Sequence, residues 1–179
     1  MPSPMVALSS WFRRSRRAPG EHVVAGLLIA GSVLLLAWLG AHTKIYTIDS
    51  YVYMAKARSL TGGHGVSVPW NDGVDRKFFW GYSFALALPL RVFGDAGALA
   101  LACLIQEAIG LSFFAFAKLV EPRPAARIAA LGLTVFSPLL LWWGSVPASE
   151  PLFTLLVLET LRRTILFRRA SPLRATGHA

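Results

Sequence analysis

Four charged residues stand where polar chemistry could be done beside long apolar stretches: Asp49, Arg76, Lys77 and Glu150. A carboxylate at Asp49 can act as a general base toward a hydroxyl acceptor. Thr47-Ile-Asp-Ser also has the composition of a helix start, so Asp49 could equally serve only as a cap. Glu150, in Pro-Ala-Ser-Glu-Pro-Leu-Phe, offers a second carboxylate, or no more than a helix-start acid favoured by the helix dipole. Arg76 and Lys77 suit an anionic partner, and at a membrane surface a phosphate is the obvious one. Pairing with Asp72 and Asp75, or with lipid head groups, is the plainer account of the same cations. Glu107, beside Gln106, lies in an apolar run, where an ionisable side chain is a functional candidate by default and, on the plainer reading, a hydrogen-bonded member of a helix bundle.

Other chemistries lack their residues. His22, His42, His64 and His178 show no metal-ligand spacing, Gly62-Gly-His-Gly is too short for a phosphate loop, and Ser145 and Ser149 sit in no Gly-x-Ser-x-Gly context. The single Cys103 excludes a disulfide framework and a cysteine metal site. No cofactor is expected, and the sequence gives no support for a divalent metal.

The elements that must position these side chains are membrane helices. Of the 179 residues 55% are hydrophobic and 15% charged, with mean hydropathy +0.53, too apolar for a soluble domain. The net charge of +9 would elsewhere point to nucleic acid, but the basic residues cluster at the ends of apolar stretches, as in proteins that orient themselves in a bilayer. The expected fold is an all-α polytopic transmembrane helix bundle. Crossings are expected at about 23–41, 98–117, 128–144 and 148–167, each near the roughly 20 residues that span a bilayer. Arg13, Arg14, Arg16 and Arg17 precede the first, which is too long for a signal-peptide core and lacks a good cleavage site. It therefore reads as an uncleaved anchor.

The segment 79–94 is short, contains Pro89 and Arg91, and either crosses or lies as an interfacial or re-entrant helix. With four crossings, twelve of the eighteen basic residues face the cytoplasm. With five, the loop around Arg123 and the Arg-rich C-terminal end fall outside, against the positive-inside rule. Four crossings leave a basic cytoplasmic stretch 1–22, an outer loop 42–97, a short outer turn near 145–151 and a cytoplasmic tail 168–179. Within the outer loop, Asp49 to Leu60 has no Gly or Pro until Thr61-Gly-Gly ends it. Tyr51, Met54, Ala55 and Arg58 at spacings of three and four predict an amphipathic juxtamembrane helix, with Asp49, Tyr53 and Lys56 on another face.

The order of these features resembles the GT-C superfamily of polytopic glycosyltransferases, in the branch of the dolichyl-phosphate-mannose protein mannosyltransferases and related bacterial enzymes of family 39. A crossing is followed by Ile48-Asp-Ser-Tyr-Val-Tyr-Met-Ala-Lys-Ala-Arg-Ser-Leu, then Gly63-His-Gly, then Phe79-Trp-Gly-Tyr-Ser-Phe-Ala-Leu-Ala-Leu-Pro-Leu-Arg-Val-Phe-Gly. Later Ala130-Leu-Gly-Leu-Thr-Val-Phe-Ser-Pro-Leu-Leu-Leu runs into Ala148-Ser-Glu-Pro-Leu-Phe. The resemblance covers about residues 23–158. It implies transfer of a sugar from a polyprenyl-phosphate-linked donor to an acceptor hydroxyl on the outer face of the membrane. Asp49 then matches the family's catalytic base, Glu150 its second acid, and Lys77, next to Arg76, its contact to the lipid phosphate. The implied partners are membrane lipid, the polyprenyl-phosphate-linked sugar and an acceptor glycan, lipid or protein, with no nucleic acid. The implied location is a bacterial inner membrane with the active face periplasmic or extracellular.

The sequence departs from the family where Ser50 follows Asp49 in place of a paired acid, and where prolines around Gly81 are missing. Family members carry more crossings and a C-terminal portion, so the chain is expected to be an N-terminal part whose activity depends on further chain or an additional subunit. The competing expectation is a small non-enzymatic polytopic protein, a scaffold subunit or a lipid or solute carrier, in which Gln106 and Glu107 line a path. No internal repeat of the transporter kind is visible.

Overall fold

A computed structural model describes residues 20–42, 47–65 and 80–170. They form seven helices: α1 (Glu21–His42), α2 (Ile48–Thr61), α3 (Trp80–Phe93), α4 (Asp95–Val120), α5 (Pro124–Val135), α6 (Pro138–Gly144) and α7 (Ser149–Ala170). No strand occurs among the described residues.

α4 is the axis. It packs against α1, α3, α5, α6 and α7, and α2 in turn packs on α3. Contacts along the helices fix their directions. His22 meets Lys118 at 3.2 Å while Ser32 meets Glu107 at 2.7 Å, so α1 and α4 run antiparallel. Arg127 of α5 meets Glu21, and Gly144 at the end of α6 lies against Gln106 and Leu36, so the α5–α6 pair returns along α4. Ser112 meets Glu159 and Leu119 meets Arg169, so α7 runs parallel to α4.

α1 and α4 are long and apolar enough to cross a bilayer, and α5 with α6 makes a third span if the pair is taken as one. The expected third crossing is therefore broken, bent by 54° at residues 136–137. Pro138 is the physical reason: it lacks an N–H for the helical ladder and disfavours helical geometry at Ser137. α7, the expected fourth crossing, has 22 residues but carries Glu159, Arg162, Arg163, Arg168 and Arg169, and is not among the helices apolar enough to cross. α3 has only 14 residues, about 21 Å at 1.5 Å per residue, less than a hydrocarbon core of roughly 30 Å.

α3 turns into α4 at Gly94, whose φ of +61° is cheap for glycine alone. Gly97 lets the two helices close: a Cβ there would sit 2.1 Å from the Pro89 carbonyl oxygen. The main buried cluster joins Tyr53, Met54 and Ala57 of α2, Tyr82, Leu86 and Leu90 of α3, and Ala98, Ile105 and Ile109 of α4. A second, of Ala25, Phe114, Leu131 and Val135, seals the far half between α1, α4 and α5.

This arrangement corrects the face assigned to α2. Tyr53 and Lys56, expected on a different face from Met54, are buried together with Met54 and Ala57, while Tyr51 and Arg58 are exposed. The cause is α3, which covers that side; Arg58 instead reaches forward to Asp95 at 2.5 Å.

Candidate functional site

Asp49 opens α2 and Glu150 opens α7, and Tyr53 is the side chain that connects them. Thr47 is the N-cap of α2, its hydroxyl accepting from the Ser50 N–H at 3.1 Å. The cap is therefore made without Asp49, which lies in the first turn with its carboxylate released for other work, favoured there by the helix dipole. Tyr53 is one turn further on, four residues from Asp49 and on the same side of the helix.

The Tyr53 hydroxyl lies 2.8 Å from the Ser149 Oγ, and the Ser149 hydroxyl in turn points to a Glu150 carboxylate oxygen at 3.5 Å. With Tyr53 donating to Ser149, and Ser149 to Glu150, the three groups form a short relay across the α2–α7 interface. Burial pushes the Tyr53 phenol above its ordinary value, and the negative charges of Glu150 and Asp49 push it further. Both carboxylates are therefore within electrostatic reach of one hydroxyl, although a hundred residues of chain separate them.

Tyr82, at the start of α3, stands edge-on to Tyr53 with ring centroids 5.2 Å apart. Its buried hydroxyl lies beside the Ala148 main chain without a well-formed hydrogen bond. From this cluster a groove of about 570 Å³ runs along α7, lined by Gly81, Tyr82, Glu150, Leu152, Phe153 and Leu156. Its wall is largely apolar, and Ser149, Glu150 and Thr154 are its polar lining outside the Tyr82 hydroxyl.

The other expected site residues, Arg76 and Lys77, lie outside the described residues. Among the described residues no group of three or more His, Cys, Asp or Glu is placed to hold a metal ion. Tyr53 and Ser149 are the members that reading by residue type passes over. The only sequence signal for them is position: Tyr53 four residues after Asp49, and Ser149 immediately before Glu150.

Glu107 is set apart from this cluster, at the middle of α4. Its Oε1 accepts from the Ser32 hydroxyl at 2.7 Å, its Oε2 is buried without a partner, and both side-chain amide atoms of Gln106 are buried and unpaired.

Comparison with protein-family models, with curated proteins and with solved structures finds no match. The functional reading therefore rests on the geometry of the chain and on the order of its motifs.

Proposed function

We propose that this chain is the membrane module of a glycosyltransferase that moves a sugar from a polyprenyl-phosphate-linked donor to an acceptor hydroxyl at the outer face of the membrane. The observation that carries the reading is the line of contacts from Tyr53, one turn after Asp49 on α2, through Ser149 to Glu150 on α7, where Ser149 and Glu150 border an apolar groove. In the proposed reaction Asp49 takes the proton of the acceptor hydroxyl. The acceptor oxygen forms a bond to the anomeric carbon while the bond from that carbon to the donor phosphate oxygen breaks, and polyprenyl phosphate leaves. Lys77 and Arg76 compensate the charge of that phosphate. Glu150, tied through Ser149 to Tyr53, fixes the facing wall of the site, and the groove along Leu152, Phe153 and Leu156 takes the first isoprene units.

The test is donor binding, which does not depend on an acceptor or on further chain. The full chain is placed in lipid nanodiscs and titrated with a radiolabelled polyprenyl-phosphate hexose. Saturable binding is expected, weakened about tenfold or more when Arg76 and Lys77 are both changed to Ala, since charge-assisted hydrogen bonds contribute roughly 1.5–3 kcal/mol. Binding that is absent, or that is the same for free polyprenol and for the double variant, overturns the proposal.

A further inference from the structure

The carboxyl at the centre of the bundle is not used by the reaction proposed above, and the hydrogen-bond count around it does not close. The Ser32 hydroxyl has one proton and two acceptors within reach: Glu107 Oε1 at 2.7 Å and, less closely, the Val135 carbonyl at 3.4 Å. The Val135 carbonyl belongs to the last turn of α5, just before the break that Pro138 imposes, so the N–H groups that would continue the ladder are turned away. Glu107 and Ser32 are both more than nine-tenths buried, and Glu107 Oε2 has no partner.

No described cation compensates the carboxylate. On α4 itself Asp95 and Lys118 are about three turns away, and Cys103 is one turn away. α1 carries Glu21, His22 and His42 only at its ends, and α6 has no titratable side chain. The one charge of α5, Arg127, is bound to Glu21. On α7, Glu159 pairs with Arg162 and Arg163, while Glu150 lies at the relay and Arg169 reaches Leu119. Arg91 of α3 is exposed, and Arg168 is in the last turn of α7.

We propose that Glu107, Ser32 and the Val135 carbonyl form a proton-binding site in the interior of the bundle. The ligand is a proton on Glu107 Oε1, which donates to the Ser32 oxygen, freeing the Ser32 hydroxyl to donate to Val135. Every donor in the chain Glu107, Ser32, Val135 is then used once, and the buried carboxyl is neutral, the state that an uncompensated site in a low dielectric favours. Because the last acceptor is at the break between α5 and α6, occupancy by the proton is coupled to the geometry of that break.

Infrared difference spectroscopy of the full chain in lipid bilayers at neutral pH tests this directly. Wild type minus Glu107→Gln should show the carbonyl stretch of one protonated carboxyl, and Ser32→Ala should move that band to higher frequency by removing the hydroxyl that accepts its proton. Should Glu107→Gln fail to fold, the same band is sought in wild type and its displacement in Ser32→Ala. Carboxylate stretches in place of the band overturn the proposal, as does a carboxylate signal that responds to sodium, which would make the ligand a metal cation.

Discussion

Tyr53 is where the candidate site can be tested residue by residue without any substrate. Its raised phenol ionisation should be visible in a spectrophotometric pH titration as a tyrosine that ionises later than an exposed one. Asp49→Asn and Glu150→Gln should each bring that ionisation part of the way back, because each removes a negative charge that opposes the phenolate. If neither does, the carboxylates do not converge. The consequence for stability has a definite sign: folded and unfolded chains both keep the phenol proton below about pH 10. As pH rises from there, the unfolded chain releases it first, so the contribution of this group to stability is lost as pH climbs through the raised folded value. Tyr53→Phe should remove that alkaline loss and, by breaking the bond to Ser149, cost about 1 kcal/mol at neutral pH, measured by melting in detergent. Asp49 and Glu150 were legible from their types and their places beside apolar runs. Tyr53 and Ser149 were not, because a tyrosine and a serine acquire this role only through a contact between helices that are far apart in the chain.

At the scale of elements, the α3–α4 hairpin depends on one absent side chain. Gly97→Ala would push a methyl group to 2.1 Å from the Pro89 carbonyl oxygen and 2.6 Å from its carbon, and backbone atoms cannot swing aside. A loss of about 3 kcal/mol in thermal or chemical unfolding is expected, at the upper end for overpacking. α1 and α5 are joined differently, by Arg127 and Glu21, which form two contacts of 2.6 Å in near-complete burial while Arg127 also donates to the carbonyls of Glu121 and Pro122. Arg127→Met alone should cost roughly 3–5 kcal/mol because it strands a buried carboxylate, and adding Glu21→Leu should recover part of that loss. A double-mutant cycle in detergent measures the difference. The helices themselves were legible to within a few residues, since long uncharged stretches and Gly or Pro punctuation mark their ends. The break at Pro138 lay inside an apolar run that reads as one crossing. The buried face of α2 also escaped notice, because it mixes Ser50, Tyr53 and Lys56 with Val52, Met54 and Ala57 and only the neighbour α3 decides which side is covered.

Across the whole molecule, the contacts between helices make two ends. Asp49, Arg58, Asp95 and Ser145 belong to one; Glu21, Lys118, Arg123 and Arg127 belong to the other, which is rich in basic residues and so expected to face the cytoplasm. In a Cys103→Ala background, a cysteine at Ser145 should react with an impermeant maleimide on intact cells, and one at Arg123 only after the membrane is opened. Reaction of both from the same side would show that α5 and α6 together do not cross.

The ion pair between Glu21 and Arg127 also bears on how the chain is made. Its two partners are 106 residues apart, and α1 is synthesised long before α5. At about 5–20 residues per second, Arg127 emerges roughly 5–20 s after Glu21. During that interval Glu21 lacks the guanidinium that pairs with it in the folded bundle, and Arg13, Arg14, Arg16 and Arg17 are the basic residues nearest to it in the chain. The contact, and the parallel packing of α1 on α5 that it joins, can form only once α5 has been made, which makes it a late step in the assembly of this bundle.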